Sequence, residues 1–159
     1  MKVSKEVHSQ LKIQSSVKEC LATFTRVGGQ EAWTLWDSGS TTTGITPSFV
    51  DMAKIMVFPL KEPHILQLGT IGSHASVNFG AYVDVVTHDV LQQEYVDVVN
   101  FDHYNMIIGM PFMHSRKVIL DFKNNIVRIG NKSIPAIKVL MPDTDDCMHW
   151  YCTTEKKQE

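Results

Sequence analysis

The sequence predicts an all-β domain with one or two short helices, and three observations carry that prediction. Apolar and polar residues alternate with a period of two in Val77-Asn78-Phe79-Gly80-Ala81-Tyr82-Val83-Asp84-Val85-Val86 and again in Glu94-Tyr95-Val96-Asp97-Val98-Val99, the pattern of half-buried strands. Gly28-Gly29 and Asn124-Asn125 each separate two strand-like runs, as hairpin turns do. Helix signals are few and short: Thr46-Pro47, a hydroxyl cap followed by proline, and the segment 111–116.

Taken in order, residues 1–19 are polar with Leu11, Ile13 and Val17 as sparse apolar points, a linker or one weak element. Residues 20–27 and 31–36 flank Gly28-Gly29 and form a hairpin. Thr46-Pro47 starts a helix that runs through Phe49, Val50, Met52 and Ala53, and Pro59 and Pro63 punctuate the next connection. From residue 64 to 99 the alternation predicts paired strands, with Asp84 and Asp97 on solvent faces. Val118-Ile119-Leu120-Asp121-Phe122 and Ile126-Val127-Arg128-Ile129 make a further hairpin, and residues 134–139 a last strand. Residues 141–159 are a polar tail. The division is therefore a flank at 1–19, one domain at 20–140 and a tail at 141–159.

Composition excludes several classes. With 159 residues and 43% hydrophobic content the chain supports one domain around a single core. A formal net charge of -2, with acids and bases interspersed, gives no electrostatic case for nucleic-acid or membrane partners. The apolar stretches fall far below a transmembrane span, and the N-terminal residues lack the apolar core of a secretory signal, so intracellular residence is expected. Cys20, Cys147 and Cys152 make an odd set, as in a reducing compartment. Cys147 and Cys152 bracket His149 at a spacing that matches no strong zinc pattern, so neither a metal nor another cofactor is predicted. His74, near a hairpin end, reads as a solvated turn residue.

Chemistry concentrates at Asp37-Ser38-Gly39, which ends the apolar run Ala32-Trp33-Thr34-Leu35-Trp36. Gly39 lets the backbone turn sharply and approach a substrate, and the Ser38 hydroxyl can bond a neighbouring backbone group. Acid proteolysis needs two carboxyl groups sharing a proton, one to polarise water and one to protonate the substrate carbonyl. Asp37 is the one aspartate followed by a small hydroxyl residue and glycine, so a chain of this kind supplies one carboxylate and the site requires two copies. Two rival motifs fail on chemistry. The stretch from Gly39 to Gly44 has the glycine spacing of a phosphate-binding loop, but Ile45 stands where that loop needs lysine. Ser38 and Ser40 lack the Gly-x-Ser-x-Gly elbow of serine hydrolases.

The flanks, Asp-Ser-Gly-Ser-Thr-Thr-Thr-Gly-Ile-Thr-Pro-Ser-Phe-Val from Asp37 and Asp-His-Tyr-Asn-Met-Ile-Ile-Gly-Met-Pro-Phe-Met from Asp102, resemble the retropepsin-like aspartic proteases. The resemblance is greatest to those of gypsy-type LTR retrotransposons of fungi. It covers about residues 20–139 and implies a partly closed acid-protease barrel that acts as a homodimer on a polypeptide bound in extended form. Asp37 would be the catalytic aspartate, Ser38 the residue that clasps the dimer mate, and Gly39 the loop glycine. Ile107, Ile108 and Gly109 would cross behind that loop. The stretch from Leu66 to Val77 resembles the family's flap hairpin, with its tip near Ile71 and Gly72 and a Gly-x-x-Gly centre suited to a mobile hairpin end. Thr41 and Met110 stand where retroviral enzymes carry an Asp and an Arg, so their intersubunit ion pair is not carried over. The implied substrate is a retrotransposon Gag-Pol polyprotein, met in the cytoplasm or in virus-like particles. The alternative is a catalytically inactive or domesticated module that dimerises or binds peptides.

Overall fold

Gly28 and Gly29 both take positive φ, 57° and 81°, the backbone that a two-residue hairpin turn of type I′ demands. They join β1 (Val17–Val27) to β2 (Gln30–Trp36), as the glycine pair predicts. The computed structural model describes residues 17–67, 74–87 and 90–142. After β2 come β3 (Gly44–Ile45), α1 (Pro47–Ala53), β4 (Val57–Gln67), β5 (His74–Thr87), β6 (Val90–Val98), β7 (Met106–Ile108) and α2 (Met110–Ser115). The chain continues through β8 (Val118–Asp121), β9 (Ile126–Ile129), β10 (Lys132–Pro135) and β11 (Ile137–Pro142). The first and last described strands thus begin at Val17 and end at Pro142, a little beyond both ends of the span 20–140 expected from sequence.

Eight strands form one sheet in the order β11-β1-β2-β7-β3-β6-β5-β4. β1 also pairs with β5 through Arg26↔Val86 and Val27↔Val85, which curls the sheet into a partly closed barrel. β8, β9 and β10 form a separate three-stranded sheet with β8 at its edge. At the centre, β2 and β7 run parallel and β7 and β3 antiparallel. All three residues of β7 are buried, as a strand covered on both faces must be. One face carries the larger core, with Leu21, Trp36, Ile45, Phe49, Met106 and Ile108. Their neighbours Leu35 and Ile107 point the other way, into a second core with Val77, Val99 and Phe101.

Local chemistry explains the ends of the elements. The Phe49 N–H donates to Thr46 Oγ1 at 3.3 Å, so α1 starts at the hydroxyl cap and proline anticipated from sequence. In the β8–β9 hairpin the Asp121 carboxylate accepts the backbone N–H groups of Lys123 and Asn124 and the Asn124 side-chain amide. Those bonds from Asn124, chiefly the side-chain one, hold the Asp121 carboxyl below its usual range. Asn125 takes the left-handed conformation that closes the turn.

Two expectations are corrected. The single strand expected at 134–139 is two strands, broken at Ala136, whose N–H donates to Asn125 O at 2.9 Å while β11 crosses to pair with β1. Asp84 is exposed as expected, but Asp97 is buried: period-two alternation assigns it a face without revealing that the face is covered.

Trp36 is 1% exposed, its Nε1–H donates to Thr23 Oγ1 at 2.9 Å, and its ring meets that of Phe112 edge-on. Trp36→Ala is expected to cost about 3–5 kcal/mol in chemical denaturation. Met56→Ala, at a side chain 89% exposed, is expected to stay within about 0.5 kcal/mol.

Candidate active site

Asp37 follows the last residue of β2, where the chain leaves the sheet and turns. Its N–H donates to Ile108 O at 2.9 Å, and its own carbonyl accepts the Ser40 N–H at 3.1 Å. The Ser40 carbonyl in turn accepts the Met110 N–H at 3.0 Å. Residues 108–110 therefore hold both ends of the turn that carries Asp37. Within the turn the Gly39 N–H donates to Asp37 Oδ1 at 2.9 Å, fixing the carboxylate's orientation. The Ser40 hydroxyl donates to Thr42 O at 2.7 Å and the Gly109 N–H to Thr43 Oγ1 at 3.2 Å, so the next residues are tied down as well.

Gly109 is the tightest point. A Cβ at that position would lie 2.3 Å from the Thr42 carbonyl oxygen and 2.8 Å from that of Ser40, inside any tolerable contact. Ile107 and Ile108 precede it and point to opposite sides of the sheet, one into each core.

Asp37 is half-buried and opens on a cleft of about 300 Å³ lined by Glu19, Cys20, Trp36, Ser38, Gly39 and Phe122. The second carboxylate of this cleft, Glu19, is engaged by Lys138 Nζ at 2.8 Å. Ser38 is exposed and also borders a second, mostly apolar groove of about 470 Å³ with Met110, Met113, His114, Lys117, Val118 and Leu120. The structure thus brings together Asp37, Ser38, Gly39, Ile107, Ile108 and Gly109. Ile71 and Gly72 lie outside the described residues.

Sequence reasoning missed Glu19, Cys20 and Phe122. Glu19 and Cys20 reach the cleft because β1 is held between β2 and β11, a pairing with no local signature. Phe122 gave no usable signal either, because a single exposed aromatic at a hairpin turn is ordinary on a protein surface. Among the described residues no group of His, Cys, Asp and Glu side chains is arranged to hold a metal, and Cys147, His149 and Cys152 lie outside them. Among the same residues no helix is long and apolar enough to cross a membrane.

Among solved structures the chain is similar to the retroviral protease-like domain of Ddi1 from Leishmania major, at 14% identity and a TM-score of 0.57, over 79% of this chain and 97% of that one. It is also similar to the EIAV protease complexed with the inhibitor HBY-793, at 15% identity and a TM-score of 0.50, over 73% of this chain and all of that one. The likeness is one of fold, and the chain has the retropepsin-like all-β fold. No family model matches the chain, and no curated protein matches it.

Gly109→Ala is expected to lose about 1–3 kcal/mol, because the added methyl must push the 40–42 backbone away. Gly44→Ala, where the new Cβ would meet Val99 at an ordinary 3.4 Å, is expected to lose less. Thermal unfolding of the two variants side by side measures the difference.

Proposed function

We propose that this chain is an aspartic endopeptidase that works as a symmetric homodimer, the two Asp37 carboxylates facing each other across the two-fold axis. The observation that carries the reading is the setting of Asp37: a half-buried carboxylate in a cleft, fixed by the Gly39 N–H and carried on a turn hydrogen-bonded at both ends to residues 108–110. The fold shared with retroviral protease-like domains supports it.

One Asp37 removes a proton from a shared water, which attacks the scissile carbonyl. Its mate, kept protonated by like-charge repulsion, donates to the carbonyl oxygen, and the two then exchange roles to release the amine. No covalent intermediate forms and no cofactor is needed. Gly39 gives the turn its shape, Ser38 contacts the dimer mate beneath the carboxylates, and Ile107, Ile108 and Gly109 support the turn from behind. The polypeptide substrate lies extended between this turn and the flap hairpin, to which we assign Ile71 and Gly72 from the sequence resemblance. Residues 20–140 make up the catalytic unit. From the sequence resemblance we assign a retrotransposon Gag-Pol polyprotein as substrate, cut in the cytoplasm or in virus-like particles, with neither nucleic acid nor membrane as a partner of this unit.

The dimer seam is assigned to β8. Among the described residues it is an edge strand of its sheet, so one row of its backbone N–H and C=O groups is open to another chain. Ile119 on it and Phe122 just past its end are exposed, 56% and 44%, and the apolar groove beside Ser38 adjoins it through Val118 and Leu120. A second copy laid antiparallel on β8 would continue the sheet across the two-fold axis.

Asp37→Asn is expected to abolish cleavage of a mixed peptide library while leaving circular dichroism and dimer mass unchanged; cleavage retained by this variant would end the mechanism. For the unsubstituted chain, specific activity is expected to fall on dilution and to follow a bell-shaped pH profile whose two limbs belong to the carboxylate pair. A folded dimer that binds peptides but cuts none between about pH 4 and 7 would instead be a peptide-binding module. Ile119→Lys is expected to shift sedimentation from dimer to monomer, with activity lost in parallel.

A further inference from the structure

Asp97 is a carboxylate in a place that a solvated strand face does not explain. Its neighbours Val96 and Val98 pack in or against the larger core, so Asp97 looks to the opposite side of β6, where it is 1% exposed. Its two oxygens are both used: the Tyr95 O–H donates to Oδ1 at 2.7 Å, and His64 Nε2 meets Oδ2 at 3.2 Å. Burial, then the hydrogen bond and charge of Asp97, then Tyr82, drive the Tyr95 phenol far above its usual value, so it remains a donor. Phe58 and Tyr82 pack against the Tyr95 ring. Burying a carboxylate costs free energy that an apolar side chain of similar volume would not. The reason for it must lie in what it holds.

What it holds is the first residue past a break in the β4–β5 ladder. Pairing is regular up to Pro59↔Phe79 and resumes at His64↔Val77, so the four residues 60–63 stand opposite Asn78 alone. β6 stops pairing with β5 at Phe79↔Val98. Beyond that point residues 64–67 and 74–77 pair with each other, and among the described residues no third strand pairs with them, Val77 at their base being buried in the second core. A two-stranded ribbon joined to its sheet through a broken ladder is marginal on its own. The contact of His64 with Asp97 reaches from β4 of this ribbon across β5 to β6.

We propose that the hydrogen-bonded chain Tyr95–Asp97–His64 is a latch that fixes the set of this ribbon, which makes His64 and Asp97 positioning residues for substrate binding. The inference rests on reading the β4–β5 hairpin as the one that closes over substrate. In it Tyr95 orients the carboxylate, the carboxylate orients the imidazole, and the imidazole carries the ribbon. His64 is 47% exposed at its side chain, so it can be replaced without opening a cavity in the core.

Hydrogen exchange of the full chain tests it, with His64→Leu, His64→Gln and Asp97→Asn compared. In His64→Leu the amides of 64–67 and 74–77 are expected to lose about tenfold in protection, with β1, β2 and β7 unchanged. His64→Gln, whose side-chain amide can donate to Asp97 in place of the imidazole, is expected to recover most of that loss. Asp97→Asn, a milder change at the buried end, is expected to loosen the same segments. On a peptide substrate, His64→Leu should raise KM about tenfold and leave kcat within about twofold, the split expected when binding rather than chemistry is lost. Unchanged ribbon protection in His64→Leu overturns the latch. So does a loss spread evenly over the central strands, or a His64→Gln variant no better than His64→Leu. If the unsubstituted chain cuts no peptide, the protease reading fails and the exchange measurement alone decides the latch.

Discussion

The approach of Gly109 to the carbonyl oxygens of Ser40 and Thr42 is the constraint on which the rest of the site depends. β7 enters between β2 and β3, parallel to one and antiparallel to the other, so the chain that leaves it must pass directly beneath the turn that leaves β2. Any side chain at the crossing would lift the turn. With none, the backbone of 108–110 comes close enough to bond Asp37 and Ser40, and the height of the Asp37 carboxylate is set by main-chain hydrogen bonds rather than by side-chain packing. Main-chain geometry holds its position better than a rotamer does, and the chemistry proposed for the site would tolerate little displacement.

Beneath that crossing the structure is stiffened by buried hydroxyls. Thr23, Thr25, Thr34, Ser40 and Thr43 are all buried, and each hydroxyl has a partner. Trp36, next to the candidate catalytic residue, donates to Thr23 on one side and meets Phe112 of α2 on the other. Arg116 lies over the Phe112 ring and pairs with Glu94 of β6, which ties α2 back to the sheet. Satisfied polar groups inside a core favour one arrangement over its near neighbours. The base of the site is built this way, while the β4–β5 ribbon hangs from an interrupted ladder.

The parts legible in the sequence are those with a local cause. Paired glycines at 28 and 29 need positive φ, Thr46-Pro47 caps and starts a helix, and Asn124-Asn125 closes a hairpin; each was readable because neighbours decide it. The Asp-Ser-Gly turn and its Ile-Ile-Gly counterpart were readable as a pair through their resemblance to a known family, and Gly109 lacks a side chain where the two backbones meet. What local pattern cannot give is which faces are covered. Asp97 alternates as a surface residue does, and only the assembly of β4 and β6 encloses it. Glu19 and Cys20 enter the Asp37 cleft on the stretch of β1 that pairs with the distant β11, to which periodicity is blind, and Phe122 lines it from just past the end of β8.

The pairing of β11 with β1 has a bearing on the order in which the molecule is made. Val17 stands opposite Pro142 and Cys20 opposite Val139, contacts more than a hundred residues apart, whereas the β1–β2, β5–β6 and β8–β9 hairpins are local. Loop closure over such a distance carries a larger entropic cost and tends to come late in folding. On the ribosome residues 17–22 of β1 have no strand on their outer edge until β11 has emerged, since β5 covers that edge only at Arg26 and Val27. Glu19 and Cys20 belong to that edge and also line the cleft beside Asp37, and Lys138, which holds Glu19, is itself on β11. The wall of the cleft is thus completed only when synthesis has passed the final strand, so a nascent chain carries the Asp37 turn well before it carries a finished site.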